Sequence, residues 1–344
     1  MIAIIGAGPI GSYAAYLLAK AGKEVHLFEQ KPVIGKPVSC TGIVTSEINK
    51  ILDLPKEVVL NKVNQVVVHA PNGKIAKIRI NDIVIDRTKF DQFLAKKAQK
   101  AGAKLYLKKK IKSLSELKKY KHIIDASGPK PLAIKNQYNY YTGLQARIKG
   151  DFKKDEYRVY LGNNMAPNFF AWALPESNTV ARVGLATLKN PKPFFDKFIK
   201  QYFPKSKILD YQGGLIPIFD QNAALEKNNT YLIGDAASQV KASTGGGIVP
   251  GLRAAKALTN SILNKTNYKT ELKSINRNLF FDKIFIRRVM NKFTDNDYNQ
   301  LIEAVGKKSV QNILAKESRD NSFSLLTKLL IRNPRLLLFL KKLL

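Results

Sequence analysis

Two glycine-rich loops and the acids beside them carry the residues of this 344-residue chain whose types and spacing could do chemistry. The first is Gly6-Ala7-Gly8-Pro9-Ile10-Gly11, with Glu29 following Gly11 by 18 residues. Gly6 suits a tight turn, Gly8 lets backbone approach a pyrophosphate, and Gly11 lets a helix pack closely on a strand. The anion then rests on a helix N-terminus, where unpaired amides and the macrodipole favour negative charge. Glu29 is placed to accept hydrogen bonds from ribose hydroxyls, and a carboxylate there repels the 2′-phosphate of NADP while suiting FAD or NAD. The second loop is Thr244-Gly245-Gly246-Gly247-Ile248, which follows an aspartate, Asp235, in Gly234-Asp235-Ala236-Ala237. Asp235 can bond a ribityl hydroxyl. The glycines let amides at a helix start approach the pyrimidine edge of a flavin, where a positive helix end stabilises the reduced, negatively charged form.

Those residues need elements to hold them. Residues 2–5 read as a short β-rich strand, 12–21 as a helix stopped at Gly22, and 24–28 as a second strand ending at Glu29, together a βαβ unit. An extended stretch, 31–44, follows where a dehydrogenase would continue with helix and strand, which favours FAD over NAD. Residues 63–70 and 74–80 read as a hairpin around Asn72-Gly73, 87–101 as a helix closed by Gly102, and 104–107 as a strand. The basic stretch 108–121 reads as a solvated face, and 122–128 as a buried strand ending in small residues. Short strands at 144–149, 157–161, 169–174 and 180–185 predict an antiparallel sheet. A helix at 193–203, a strand at 213–219, the strand bearing Asp235 and a helix running to about residue 263 complete the α/β pattern. The expected division is a discontinuous nucleotide-binding domain (1–135 and 212–264), an antiparallel β substrate domain (136–211) and a basic helical C-terminal region (265–344).

Composition bounds the rest. A hydrophobic fraction of 45% and a charged fraction of 24% are those of a globular protein. One cysteine and three scattered histidines (His26, His69, His122) exclude an internal disulfide framework and give no metal-ligand spacing. The 58 Lys and Arg against 26 Asp and Glu leave a net charge of +32, a field that attracts polyanions; Lys scattered among Asn is equally what compositional drift produces. No apolar run nears the ~20 residues of a membrane-spanning helix, and the first apolar run lacks a basic leader. A reduced, cytoplasmic chain is expected. Residues 325–344 combine Leu, Ile and Phe with Lys328, Arg332, Arg335, Lys341 and Lys342 and no acid, interrupted near Asn333-Pro334. Two short amphipathic helices there could lie on an anionic membrane surface, or pack on the protein's own core.

With both loops in hand, the chain resembles the FAD-binding, Rossmann-like fold of the glutathione-reductase and hydroxybenzoate-hydroxylase type, and within it the geranylgeranyl reductase family. Residues 6–11, 35–42, 167–175, 234–237 and 244–248 carry the resemblance. Pro167-Asn168-Phe169-Phe170-Ala171-Trp172-Ala173-Leu174-Pro175 is similar to the family's P-x-x-Y-x-W-x-F-P signature, with Phe170 and Leu174 replacing tyrosine and phenylalanine. The apolar wall is kept and a phenol is lost. The resemblance implies saturation of prenyl double bonds, notably in archaeal isoprenoid ether lipids. It places FAD contacts on Gly11, Glu29, Gln30, Cys40, Thr41, Arg87, Ile111, Asp235, Gly247 and Ile248. Arg87 could pair with phosphate or a flavin carbonyl, and Ile111 could offer backbone to adenine or simply be a buried apolar residue.

Hydride delivery to an isolated alkene also requires a proton at its other carbon. Family position gives Cys40, in a loop expected near the isoalloxazine ring, that acid's role; the alternative is a small buried packing residue. A thiol with its ordinary pKa of ~8.5 is protonated at neutral pH. Phe170 and Trp172 would line a tunnel for the prenyl chain or be core. An external electron donor, NAD(P)H or a ferredoxin, is expected; with neither a second nucleotide fingerprint nor an iron–sulfur cysteine set in the sequence, the residues do not select between them. Nucleic acid is not an expected partner. The rival readings are an FAD-dependent monooxygenase of an aromatic or prenylated substrate, and a non-catalytic basic flavoprotein associated with membrane or nucleic acid.

Overall fold

The structure, a computed structural model, describes residues 1–343; Leu344, the last apolar residue of the tail, lies outside them. The chain begins β1 (Ile2–Ile5), α1 (Pro9–Lys20), β2 (Val25–Phe28), β3 (Ile43–Thr45), β4 (Val59–His69), β5 (Ile75–Ile85) and α2 (Arg87–Lys100). It continues with β6 (Lys104–Tyr106), β7 (His122–Asp125), β8 (Tyr140–Lys149), β9 (Glu156–Tyr160), β10 (Ala171–Pro175) and β11 (Val180–Thr187). Then come α3 (Lys192–Tyr202), β12 (Lys207–Pro217), β13 (Glu226–Lys227), β14 (Thr230–Leu232) and α4 (Ile248–Asn264), followed by shorter helices to the C-terminus.

Two compact units result. The first comprises Met1–Val38, Asp86–Asn139 and Ile216–Phe280. Its sheet has the order β13-β14-β7-β1-β2-β6, parallel from β14 to β6 with β13 as an antiparallel edge. All four residues of β1 and of β2 are buried, the continuous burial expected of a parallel strand covered on both faces. Pro9 opens α1, where its missing N–H costs no hydrogen bond. Asp86 caps α2 by accepting from Lys89 N at 3.0 Å, and Gly102 ends it at φ +104°. This is the expected Rossmann-like α/β architecture.

The second unit comprises Ser39–Ile85, Tyr140–Leu215 and Phe281–Leu344. Its sheet runs β12-β8-β11-β10-β9-β4-β5-β3, antiparallel from β8 to β9 and from β4 to β3, with β4 pairing parallel with β9. The hairpin of β4 and β5 forms as expected and is longer, with register shifts between Val59 and Asn61 and between Val63 and Gln65. The expected domain boundaries change here. Residues 39–85, assigned from sequence to the nucleotide-binding domain, join the antiparallel sheet, because β4 finds its outer partner in β9 (Gln65 opposite Glu156). The helical C-terminus is no third domain either: Phe293, Tyr298, Ile302, Phe339, Leu340 and Leu343 pack with Ala70, Ala76 and Leu161 of this unit. Arg319 pairs with buried Asp82, and Thr45 donates to Asp320. Among the described residues no helix is long and apolar enough to cross a membrane.

Candidate functional site

In the first unit, β1 delivers the turn at Gly6, whose φ is +97°. A side chain at Gly6 would begin 2.6 Å from the Ala126 carbonyl oxygen at the end of β7, and one at Gly11 would begin 2.1 Å from Gly6 O. Nothing stands within 4 Å of where a Gly8 side chain would begin. The loop is therefore closed against the sheet and open above α1. Glu29 is fixed at the end of β2: Oε2 accepts from Ala7 N at 3.0 Å and Oε1 from Lys31 N at 2.9 Å. An open helix N-terminus beside a carboxylate with lone pairs to spare is a donor and acceptor set that fits a dinucleotide, phosphates on the amides and ribose on the acid. Gln30 is exposed next to it.

The second loop returns to the first, as its order in the chain requires. Side chains built at Gly234 and Gly251 would both strike Ile10 of α1, so these glycines let the start of α4 and the turn bearing Asp235 lie against α1. Asp235 Oδ1 sits 3.0 Å from where a Gly247 side chain would begin, which brings the two together. Gly247 is the N-cap of α4 and makes no side-chain cap hydrogen bond, and Ile248 is its first, buried residue. Burial raises the Asp235 pKa, opposed by the charge of Arg87. Arg87 is held in its own helix by Asp91, Nε to Oδ1 at 3.1 Å and Nη2 to Oδ2 at 3.0 Å. The Ile111 side chain is committed to the core with Phe28, Leu117, Tyr120 and Ile123. Its backbone neighbour Lys109 donates to Glu29 O at 2.8 Å, which runs this segment beside the end of β2.

In the second unit, Cys40 and Thr41 precede β3. Cys40 is half-buried, and its Sγ accepts from Gly42 N at 3.3 Å. Thr41 Oγ1 donates to Gln145 Oε1 at 3.0 Å, and Trp172 Nε1 donates to the same oxygen at 3.3 Å. Tyr141, Phe169, Phe170 and Trp172 form a continuous row of rings, with centroid separations of 4.7, 4.4 and 5.9 Å. The row begins at a turn where Asn168 has φ +65° and its carbonyl accepts from Arg287 Nη1 at 3.0 Å. Phe170 and Trp172 thus share one apolar wall.

Three placements escaped sequence reasoning. Asp125, fully buried at the end of β7, accepts from Ser127 N, Ser127 Oγ, Leu132 N and Ala133 N at 2.6–3.0 Å and shapes the loop facing Gly6. Lys241 is buried with Cε 3.0 Å from where a Gly246 side chain would begin. Its signal was a lone lysine among small residues. Gln145 and Arg182 are buried in β8 and β11, and polar residues alternating with apolar ones at 145 and 147, with the lone charge at 182, are the legible sign. Among the described residues no cluster of His, Cys, Asp and Glu could hold a metal.

Residues 4–43 match the NAD(P)-binding Rossmann-like domain, and residues 139–216 match the geranylgeranyl reductase catalytic domain. The digeranylgeranylglycerophospholipid reductase of Methanocaldococcus jannaschii is 27% identical, with 92% of this chain and 95% of that one covered. The enzyme of the same name from Methanocella arvoryzae is 24% identical over 98% and 97%. A solved geranylgeranyl bacteriochlorophyll reductase-like protein from Thermoplasma acidophilum superposes with a TM-score of 0.78 at 21% identity, covering 100% and 98% of the two chains. A halogenase, PltM, solved in complex with FAD, shares the fold at a TM-score of 0.66 and 13% identity over 98% and 84%. The catalytic-domain match lies on the sheet that carries Gln145, Phe170 and Trp172, and over nearly its whole length the chain is similar to the digeranylgeranylglycerophospholipid reductases.

Proposed function

We propose that the protein is an FAD-dependent reductase that saturates geranylgeranyl C=C bonds of isoprenoid ether membrane lipids. The observation that carries this reading is the catalytic-domain match over residues 139–216, which contains the row of rings from Tyr141 to Trp172. The relatives' names give the lipid class. Reduced FAD, when bound, supplies the hydride. Amides at the start of α1 would hold its pyrophosphate, Glu29 would accept from its ribose hydroxyls, and Asp235 would accept from a ribityl hydroxyl. The aromatic row receives the prenyl chain by apolar contact and excludes water. Cys40 Sγ, held by the Gly42 N–H, carries the proton that the alkene needs. Electrons come from an external donor, NAD(P)H or a ferredoxin.

Anaerobic incubation with dithionite and a geranylgeranyl lipid tests the reading. The expected product is heavier by two hydrogens for each double bond, and repeating the assay with NADPH or reduced ferredoxin in place of dithionite selects the donor. An unchanged lipid, or an oxygenated one formed only in air, would overturn it. Asp235→Ala is expected to weaken FAD binding by about 1.5–3 kcal/mol, the range for a hydrogen bond to a charged group, read as a rise in Kd of roughly 10- to 150-fold on flavin titration.

Peripheral contact with an anionic membrane belongs to the same proposal, on the cytoplasmic face. The helix Ser322–Arg332 and the turns after it divide their apolar residues: Phe339, Leu340 and Leu343 pack inward, whereas Ile331, Leu337 and Leu338 are 75%, 49% and 59% exposed. The exposed set lies among exposed Arg332, Arg335 and Lys341, each able to add up to ~1 kcal/mol of attraction at an anionic surface. Replacing Ile331, Leu337 and Leu338 together with serine is expected to abolish low-salt flotation with anionic liposomes while leaving FAD bound. Equal flotation of both proteins would remove the tail as the contact.

A further inference from the structure

The segment carrying Cys40 and Thr41 is tied to its sheet by a closed ring of hydrogen bonds. Thr41 Oγ1 donates to Gln145 Oε1, and Gln145 Nε2 donates to Gln212 Oε1 at 2.7 Å. Gln212 Nε2 donates to Asp210 Oδ1 at 3.0 Å, and Arg147 bridges Asp210 Oδ2 at 3.1 Å to Glu176 Oε2 at 2.9 Å. Glu176 Oε1 accepts from Arg182 Nε at 2.6 Å, and Arg182 Nη1 closes the ring on the Thr41 carbonyl. The contributing strands β12, β8, β11 and β10 are neighbours, and register explains the assembly: Gln145 lies opposite Gly184, which lies opposite Trp172, and Arg147 lies opposite Arg182. Gly184 is what lets Trp172 reach Gln145 across the intervening strand. A side chain there would begin 2.4 Å from Gln145 Cβ and 2.8 Å from Trp172 Cζ2.

The direction of each hydrogen bond in the ring is fixed. An indole N–H only donates and a carboxylate only accepts, so the run Trp172, Gln145, Gln212, Asp210 is fixed at both ends and the Gln145 amide cannot be flipped without leaving Trp172 N–H facing an NH2. The two arginines and two carboxylates balance in charge. Arg147 and Arg182 hold the Glu176 carboxyl below the usual carboxylate range, against the opposing effect of burial. One oxygen, Gln145 Oε1, therefore joins the Cys40–Thr41 segment to the aromatic wall.

We propose that Gln145 is a positioning residue for proton transfer, fixing the Thr41 peptide and hence the adjacent Cys40 thiol relative to Trp172. The inference rests on the reading of Cys40 as the proton donor. It also gives Thr41 Oγ1 a defined role: its hydrogen is committed to Gln145, so toward any ligand it only accepts.

The protein carries its own reporters, because Cys40 is its one cysteine and Trp172 its one tryptophan. In the FAD-loaded enzyme, Gln145→Met and Gln145→Glu are compared by iodoacetamide alkylation of the thiol across pH, by indole emission, and by anaerobic lipid reduction. Gln145→Met, which removes the shared acceptor, is expected to shift the emission, speed alkylation several-fold and lower kcat by roughly tenfold or more with KM little changed, the signature of a misplaced reacting group. Gln145→Glu keeps the accepting oxygen and is expected to restore all three toward the parent. Parent-like alkylation and emission in Gln145→Met would overturn the positioning role. Altered alkylation and emission with unchanged kcat would instead overturn Cys40 as the donor while leaving the ring intact.

Discussion

Gly11→Ala is expected to purify without flavin. The added Cβ would begin 2.1 Å from Gly6 O and 3.1 Å from Ala126 Cβ, far inside van der Waals contact. Neither neighbour is the far end of a flexible side chain. Gly6 is itself pinned, since its own Cα faces Ala126 O, so the turn cannot retreat toward β7. Relief must come from lifting α1 off the sheet, which displaces the amides proposed to hold the pyrophosphate and moves Ala7 N off Glu29. Overpacking of this kind commonly costs about 1–3 kcal/mol in a core, and here the displaced atoms are the proposed cofactor contacts. Gly8→Ala is the control. Its Cβ meets no protein atom, so the variant should keep the parent's thermal unfolding and still lose FAD, because the space it fills is where phosphate would lie. The readout is flavin absorbance of the purified protein and reconstitution with excess FAD. A Gly11→Ala protein with full flavin content would show that the loop does not form the cofactor cradle.

Cys40→Ser is expected to keep FAD and lose alkene reduction by roughly 100-fold or more, the lower range of what a positioned general acid contributes. Serine is nearly the same size, and its Oγ can still accept from Gly42 N, so the loop geometry is preserved. What changes is acidity: a hydroxyl gives up its proton far less readily than a thiol. A packing role for Cys40 predicts the opposite result, near-parent turnover, because the substitution leaves volume and hydrogen bond in place. Dithionite-driven reduction of a geranylgeranyl lipid by the FAD-loaded variant decides between the two.

What could be seen in the sequence was what depends on neighbours along the chain. The Gly6 to Gly11 loop, the turn at Asn72-Gly73 and the capped α2 are local matters of φ, hydrogen bonding and helical period. The partnership of β4 with β9 is not local, and the alternation within residues 59–69 is the same whichever sheet it joins, so residues 39–85 were placed in the wrong unit. Cys40 was visible as the one cysteine, but the ring that ties its segment down draws on Gln145, Gln212, Arg147 and Arg182, each unremarkable until strand register sets them side by side. The tail shows the same limit. Its leucines have helical spacing, yet which of them face inward was decided by the core around Tyr298 and Ile302.

The way the chain alternates between its two units has a consequence for biosynthesis. Each unit is assembled from three separated stretches, so the polypeptide passes from one to the other after Val38, Ile85, Asn139, Leu215 and Phe280. On the ribosome, β3, β4 and β5 emerge long before the strands and helices that complete their unit. Buried Asp82 waits for Arg319, and Thr45 waits for Asp320. Such late, sequence-distant closure slows folding and leaves strand edges unpaired in the interim, when they can associate with other nascent chains. The protein cannot be dissected by cutting at any single point, and expression of either unit alone requires rejoining its three stretches through new connections.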